Sequence, residues 1–379
     1  MSTLEQQIAF LTEIDRLKQV NRANHLIHTA RPENTAEHSW HVALWALVFG
    51  VDQALDEILP MLLVHDIVEI DAGDHPIFED HDPAEIATKE AKAAERLYGL
   101  LPSQQGAFLR STWERFDNSS DPAAQFARRI DHAAPVWQDL ASPDCSLEHK
   151  NISRWDLTEG RARHLANSFP EFHGLMVACL EGGTLDDSDT AKRLAFLAEA
   201  CRLKEIKRAT PCLTHPRREN TAEHSWHLAM FALVLQGIAE TPINITEVLT
   251  MLILHDIVEI DAGDTPIHGQ TDPHQQAAAE AKAADRIYGL LPQEDAARLR
   301  SIWERFEEAQ SPEAVFAKAL DRAQPVLANL SNGGGTWPEY KVTRSQLEAR
   351  VGEKVMRGAP KLWAYLTPKI DAYFAQLPS

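Results

Sequence analysis

The sequence predicts an all-α protein built from two fused helical bundles that are related by internal duplication. Segment 65–74, HDIVEIDAGD, recurs without change at 255–264, and segment 33–41, ENTAEHSWH, recurs at 219–227. Alanine-rich amphipathic runs, such as 85–98, have the apolar spacing of helices. Alternation of apolar and polar residues at a period of two, which is typical of half-buried strands, is essentially absent.

The duplication extends over nearly the whole chain. A repeat unit of about 185 residues is far longer than the unit of a solenoid, so we expect two domains. Their boundary is predicted in the small, polar stretch 182–189, GGTLDDSD. The predicted domains are therefore residues 1–186 and 187–379.

Helix starts can be recognised in both copies. Asn34 or Thr35 is the predicted N-cap of the helix that contains segment 33–41, because acidic residues follow in its first turn. Prolines punctuate the later helices at matching positions, namely Pro102, Pro122, Pro292 and Pro312. About six helices per copy are expected from these patterns.

The composition is typical of a soluble globular protein and excludes several function classes. Of 379 residues, 44% are hydrophobic and 25% are charged. A formal net charge of −19 argues against a nucleic-acid or anionic-membrane surface. We expect neither a signal peptide nor a membrane span. Four cysteines without a CxxC pair favour free thiols in a cytoplasmic protein.

Four side chains per copy have metal-ligand chemistry and recur together. The imidazole and four carboxylates of segment 65–74 follow an apolar run, and a bound cation is the simplest way to neutralise these acids. On a helix, His65, Asp66 and Glu69 would share one face. Two imidazoles and two carboxylates suit a divalent transition ion that keeps positions for water and substrate. The predicted ligands are His38, His65, Asp66 and Asp131 in copy one, and His224, His255, Asp256 and Asp321 in copy two.

A lone histidine, an adjacent His-Asp pair and a distant aspartate in an all-α chain resemble the HD-domain phosphohydrolases. Segments RPENTAEH at 31–38 and HDIVE at 65–69 are similar to the branch that contains the 5'-deoxynucleotidases. The resemblance covers both halves and implies two fused HD domains. It also implies one divalent ion per domain (Mn, Co, Mg, Ni, Fe or Zn) and removal of phosphate from nucleoside 5'-monophosphates.

The resemblance further implies which residues act beside the ion. Glu69 and Glu259 correspond to a catalytic glutamate that positions or deprotonates water. Asp74 and Asp264, which follow glycine turns, correspond to a catalytic aspartate that assists the leaving group or contacts the sugar.

A phosphate needs a local cation in a protein this acidic. Arg22 and Arg208 resemble the phosphate-binding arginine of the family, and a bidentate guanidinium suits a terminal phosphate. Ala23 and Ala209 follow these arginines, whereas some bacterial members carry a tryptophan there. The resemblance therefore leaves the choice between ribose and deoxyribose open.

The two copies differ at positions close to the predicted ligands. His75 becomes Thr265 and His132 becomes Arg322, so neither histidine is expected to be indispensable to a reaction common to both sites. Copy two carries GGGTW at 333–337 after its last predicted ligand, where copy one carries SPDCS. This asymmetry predicts different substrate loops.

The resulting hypothesis is a cytoplasmic phosphomonoesterase with a small-molecule nucleotide substrate and without nucleic-acid or membrane partners. Because relatives of this branch are commonly homodimers, we expect an intramolecular pseudo-dimer, with further oligomerisation left open. One alternative is hydrolysis of another phosphoester, such as a cyclic nucleotide, a nucleoside triphosphate or an alarmone. The other is a nucleotide-binding sensor with a structural metal, although the presence of Glu69 and Glu259 in both copies speaks against it.

Overall fold

Helices make up most of this computed structural model, which describes residues 1–79, 81–269 and 272–377. The prediction of an all-α fold is thereby confirmed. Strands appear only as two short antiparallel pairs among the described residues, and their polar sequences carry no strand pattern. None of the described helices combines the length and apolar character needed to cross a membrane.

The elements of the first copy follow one another as short and long helices around one strand pair. They are α1 (Thr3–Ile14), β1 (Asn21–His25), β2 (Pro32–Asn34), α2 (Thr35–Phe49), α3 (Leu55–Val64), α4 (Glu69–Ala72), α5 (Pro83–Tyr98), α6 (Ser103–Asn118), α7 (Pro122–Ala141), α8 (Leu147–Thr158), α9 (Leu165–Ser168) and α10 (Pro170–Leu180). Short 3₁₀ helices cover Asp15–Gln19 and Arg161–His164.

The second copy repeats this order up to its long central helix. Its elements are α11 (Asp189–Ala200), β3 (Lys207–Pro211), β4 (Arg218–Asn220), α12 (Thr221–Leu235), α13 (Ile245–Leu254), α14 (Glu259–Ala262), α15 (Pro273–Tyr288), α16 (Gln293–Glu308), α17 (Pro312–Ser331), α18 (Arg344–Leu347), α19 (Glu353–Gly358) and α20 (Pro360–Ala375). A π-helical turn, Glu348–Gly352, joins α18 to α19. Each copy thus has more helices than the sequence predicts, because several are single turns.

The chain forms two compact units whose membership differs from the sequence repeat at some helices. The His38 unit comprises Leu17–Arg202 and Arg286–Ala297, and the His224 unit comprises Met1–Arg16, Leu203–Asp285 and Arg298–Ser379. Helix α1 thus belongs to the His224 unit, and α11, its counterpart in the repeat, belongs to the His38 unit. The predicted domains 1–186 and 187–379 describe the sequence repeat and stay a prediction. Residues 378 and 379, at the end of the second domain, lie outside the described part.

Within each unit a buried histidine anchors the first helix of a repeat. In the His38 unit, His41 Nε2 lies 3.1 Å from the carbonyl oxygen of Leu197 on α11. In the His224 unit, His227 Nε2 lies 2.8 Å from the carbonyl oxygen of Leu11 on α1. Both imidazoles stack on the preceding tryptophan and are almost fully buried. These contacts give His41 and His227 a packing role.

Helix α2 is buried on nearly all sides, so its start determines which side chains enter the core. Asn34 is the N-cap: its side chain accepts a hydrogen bond from the backbone of Glu37 at 3.1 Å. The Glu37 carboxylate in turn accepts from the backbone of Asn34 at 2.9 Å, which completes a capping box. Asn220 and Glu223 form the same box at the start of α12.

The His-Asp pair lies in a tight turn between α3 and α4, not inside one continuous helix. Backbone bonds of the i to i+3 type, such as Glu69 to Asp66 at 3.0 Å, connect the two helices. Residues three apart eclipse one another in such a turn, so Asp66 and Glu69 share one side. Gly73 ends α4 with φ +83°, a conformation that favours glycine, and Asp74 follows directly.

Candidate metal centres

Three separate parts of each unit bring the four predicted ligands to one place. In the His38 unit, α2 supplies His38 from its first turn. The turn after α3 supplies His65 and Asp66, and the middle of α7 supplies Asp131. The His224 unit uses α12, the turn after α13 and α17 in the same way.

The four side chains of the His38 unit form a compact, largely buried cluster. Asp131 Oδ1 lies 2.9 Å from His38 Nε2 and 3.6 Å from His65 Nε2. Asp66 Oδ2 lies 3.1 Å from His65 Nε2 and 3.9 Å from His38 Nε2. Since nitrogen and oxygen ligands lie about 2.1 Å from a divalent transition ion, separations up to about 4.2 Å suit one shared ion.

The cluster in the His224 unit has nearly the same geometry. His224 Nε2 lies 3.3 Å from Asp321 Oδ1, and His255 Nε2 lies 3.0 Å from Asp256 Oδ2. Ligand atoms of His224, His255 and Asp321 all lie within 4.8 Å of one another, as do those of the equivalent three residues in the His38 unit. Both units therefore contain a group that could hold a metal ion.

The tautomers of His65 and His255 fit a metal-binding role. Nδ1 of each ring lies within 2.8 Å and 2.9 Å, respectively, of a backbone carbonyl oxygen, which can only accept. In the neutral ring Nδ1 therefore carries the proton, which leaves Nε2 as the atom that would bind an ion. Nε2 of both rings is buried and faces the carboxylates of its cluster, 3.1 Å from Asp66 Oδ2 and 3.0 Å from Asp256 Oδ2.

The cluster of the His38 unit also attracts positive charge. Burial opposes protonation of His65, yet the neighbouring carboxylates of Asp66 and Asp131 raise its pKa well above the ordinary value. Asp66 is likewise shifted: burial opposes its ionisation, but the charges of His65 and Arg22 lower its pKa to about 2. An arrangement that stabilises a proton in this way equally favours a cation.

One carboxylate behind each first histidine has no role in the sequence-based prediction. Glu33 Oε2 lies 3.7 Å from His38 Nδ1, and Glu219 Oε1 lies 3.2 Å from His224 Nδ1. Both glutamates are almost completely buried. A carboxylate in this position orients the imidazole and strengthens it as a ligand. Their place in the unchanged segment ENTAEHSWH is the signal that could have identified them.

The predicted catalytic glutamates lie beside the clusters and are held by threonines. Thr35 Oγ1 donates to Glu69 Oε2 at 2.8 Å, and Thr221 Oγ1 donates to Glu259 Oε2 at 2.9 Å. Burial and then the nearby aspartate of the His-Asp pair raise the pKa of each glutamate well above its ordinary value. Such a carboxyl group can exchange a proton closer to neutral pH than an ordinary glutamate can.

The predicted phosphate-binding arginines lie inside the acidic clusters. Arg22, on β1, places Nη1 2.9 Å from Asp66 Oδ2 and 3.9 Å from Asp74 Oδ1. Arg208, on β3, makes the corresponding contacts at 2.9 Å and 3.5 Å. Each guanidinium thus lies between a candidate metal ligand and the second candidate acid.

A second arginine lies beside the last aspartate of each cluster, and the sequence-based prediction misses it. Arg161 Nη1 lies 3.8 Å from Asp131 Oδ2, and Arg322 Nε lies 3.8 Å from Asp321 Oδ2. Both units therefore place a positive charge beside the last aspartate, although the two arginines come from different elements. His132, at the position of Arg322, cannot supply this charge at neutral pH because burial lowers its pKa to about 4.

Comparison with known proteins adds a family and several relatives. Residues 14–173 and 200–363 each match the family model described as HD domain. The human protein named 5'-deoxynucleotidase HDDC2 is 25% identical over 152 residues, which cover 40% of this chain and 73% of that protein. A 5'-deoxynucleotidase from Erwinia tasmaniensis is 26% identical over 169 residues, covering 42% of this chain and 83% of the relative.

One solved structure resembles half of the chain. It is a crystal structure from Magnetospirillum magnetotacticum MS-1 described as a predicted metal-dependent phosphohydrolase. The two chains are 41% identical, with a TM-score of 0.47, over 49% of this chain and 93% of that chain.

Proposed function

The chain belongs to the HD domain family, and on that premise we propose that it is a metal-dependent phosphohydrolase of nucleoside 5'-monophosphates. One observation carries the proposal most directly. In both units a buried arginine lies 2.9 Å from an aspartate of a four-residue cluster suited to a divalent ion. A phosphate bound by such an ion would lie next to a guanidinium. The names of the human and Erwinia relatives support the substrate class.

The proposed metal ligands are the four clustered side chains of each unit. They would hold one divalent ion per unit, drawn from Mn, Co, Mg, Ni, Fe or Zn, with Glu33 and Glu219 behind the first histidines. When bound, the ion supplies Lewis acidity, which polarises a phosphate and lowers the pKa of water.

Two cations of the protein bind and orient the phosphate in our proposal. In the His38 unit these are Arg22 and Arg161, which approach the cluster from β1 and from the 3₁₀ helix after α8. Their charge offsets the surrounding carboxylates, which would otherwise repel a phosphate dianion. Holding the ester in this way aligns the phosphorus for attack opposite the 5'-oxygen.

The acids beside the cluster handle the protons of the reaction. Glu69, whose raised pKa suits proton transfer, accepts the proton from the attacking water. Thr35 binds its Oε2 atom and so fixes the carboxylate in place. Asp74 lies near Arg22 and assists the departing 5'-oxygen or contacts the sugar. Glu259 and Asp264 take these roles in the His224 unit.

Phosphate release from a panel of phosphoesters tests the proposal. The panel contains nucleoside 5'-monophosphates, 3'-monophosphates, cyclic nucleotides and triphosphates, each with Mn, Co, Mg or Ni. We expect turnover of the 5'-monophosphates that stops when a chelator is added. Preferred cleavage of another phosphoester would replace the proposed substrate, and tight nucleotide binding without turnover under every metal would favour the sensor alternative.

A further inference from the structure

The cavities beside the two candidate centres differ in size. The cavity at the His38 centre has a volume of about 240 Å³, whereas the one at the His224 centre has about 60 Å³. Both are lined by the candidate phosphate-binding arginine, by the second candidate acid and by the last aspartate of the cluster. Asp66 and Glu69 also line the larger cavity, whereas their counterparts in the second copy do not line the smaller one. The smaller cavity thus offers a substrate both less room and less access to the cluster.

The segment after α17 fills the space in the His224 unit. Trp337 is only 1% exposed, lines the cavity and stacks on Phe374 with ring centroids 5.5 Å apart. Thr336 donates to Asn329 Oδ1 from its backbone at 2.8 Å and from its hydroxyl at 3.1 Å. These bonds fasten the loop over the cavity and occupy the Asn329 side chain.

In the His38 unit the equivalent position carries an acid beside the larger cavity. Asp139 stands where the second copy has Asn329, and it lines the open cavity together with His149. Asn24 Nδ2 donates to Asp139 Oδ1 at 3.0 Å. The pair therefore presents hydrogen-bonding groups to the cavity, which suits the polar edge of a nucleobase.

A mainly apolar recess of about 740 Å³ lies next to the cavity of the His38 unit. Ile77, Phe78 and Ile152 line both spaces, so the two adjoin. Phe78 and Trp155 are 51% and 40% exposed, and Leu147 beside them is 75% exposed. Exposed aromatic rings next to a phosphate site are well suited to stack a nucleobase.

We propose that only the His38 centre accepts a nucleotide, with its base against Phe78 and Trp155. The His224 centre, closed by Trp337, accepts only phosphate esters with a short leaving group. This inference rests on the proposed function and assigns different substrates to its two sites. The lining that the recess shares with the cavity favours the base of the substrate as its occupant, and a protein partner on this surface is an outcome that the test distinguishes.

Inactivating one centre at a time is the first test. Asp66→Asn and Asp256→Asn each remove one candidate ligand, and metal content and thermal unfolding confirm that the other unit is intact. We expect Asp66→Asn to reduce hydrolysis of nucleoside 5'-monophosphates by about 100-fold but to spare hydrolysis of glycerol 3-phosphate. Asp256→Asn should leave nucleotide hydrolysis within about twofold of wild type, because the proposal assigns nucleotide turnover to the His38 centre.

Truncating the recess is the second test, and it does not depend on turnover. Phe78→Ala and Trp155→Ala should each weaken binding of a phosphonate analogue of a nucleoside 5'-monophosphate, which cannot be hydrolysed, roughly tenfold, measured by calorimetry with the metal bound. Binding of inorganic phosphate should not change. Phe108→Ala is the matched control, because Phe108 is an equally exposed phenylalanine that lines neither space.

The outcomes separate the inference from the function on which it rests. Equal loss of nucleotide hydrolysis in Asp66→Asn and Asp256→Asn would overturn the inference and keep the proposed function. Loss of glycerol 3-phosphate hydrolysis in Asp66→Asn, or unchanged nucleotide binding in both recess variants, would also overturn it, the latter leaving the recess to a protein partner. A wild-type protein without any nucleotide hydrolysis would overturn both.

Discussion

Nη1 of Arg22 lies 2.9 Å from Oδ2 of Asp66, and Arg208 and Asp256 repeat the same contact at 2.9 Å. The candidate phosphate-binding arginine thus contacts a candidate metal ligand in each unit. Both members of each pair are largely buried, so water screens the interaction little. In our proposal this arginine supplies the local positive charge that a phosphate needs in a chain with a net charge of −19.

Removal of this guanidinium should impair catalysis, and it should also lower stability because it leaves buried carboxylates unpaired. We expect Arg22→Ala to lower kcat/KM for the nucleotide by about 100-fold, because a charge-assisted bidentate contact is lost. Arg22→Lys should recover only part of the activity, since an ammonium group cannot make that contact. Arg110→Ala, which removes an exposed arginine of α6 in the same unit, is the control. Full activity in Arg22→Ala would contradict the assignment.

Glu33 is expected to act through His38. Glu33→Gln keeps the size of the side chain but removes its charge, so the affinity of the His38 centre for its ion should fall about tenfold. Competition with a chelator of known affinity measures this in Asp256→Asn protein, where the other centre is disabled. Glu114→Gln, at an exposed position, should change nothing. Equal affinity in both variants would show that Glu33 does not support the ligand.

Asp139 should make stability depend on pH. Burial raises its pKa to about 6 from an ordinary value of 3.8, so the folded state holds this proton more tightly than the unfolded state. The contribution of protonated Asp139 to the unfolding free energy is therefore fully present below pH 3.8. It is lost as the pH rises through about 6, and the loss amounts to roughly 2–3 kcal/mol. Asp139→Asn should remove this part of the pH dependence.

Urea unfolding at several pH values between 4 and 8, in the presence of a chelator, measures the effect. The unfolding free energy of Asp139→Asn minus that of wild type should become more positive as the pH rises. Asp52→Asn, at an exposed position, should run parallel to wild type. A constant difference between Asp139→Asn and wild type would show that Asp139 titrates normally.

His41 should matter for stability and not for metal content. Its ring contacts the carbonyl oxygen of Leu197 at 3.1 Å and stacks on Trp40 in the core of the His38 unit. His41→Ala should therefore cost about 2–4 kcal/mol of unfolding free energy through a lost hydrogen bond and a cavity. Elemental analysis should find the same number of ions as in wild type, whereas a lower number would mean that His41 is a ligand.

The repeat explains why much of the site could be predicted without coordinates. Side chains that recur together in unchanged segments must share a constraint, and the structure does bring His38, His65, Asp66 and Asp131 together. Their role as ligands stays a prediction. The family and the all-α fold are confirmed, because the helical spacing and the motif both extend over each half.

Other features were out of reach of the sequence for physical reasons. Arg161 and Arg322 place charge at equivalent points from different elements, so aligning the copies could not pair them. The repeat also does not indicate whether α1 or α11 packs in a given unit, because buried apolar residues lie at equivalent positions in the two helices. The strand pairs are short and polar. They form because backbone groups require hydrogen-bond partners, and no side-chain pattern predicts them.

Elemental analysis of the purified protein, combined with phosphate release before and after treatment with a chelator, tests the central claim most directly. We predict two divalent ions per chain, one in each centre, and hydrolysis of nucleoside 5'-monophosphates that is lost with the ions and returns when they are restored. Protein that binds none of the six candidate metals, and in which no added metal starts hydrolysis, would contradict the account.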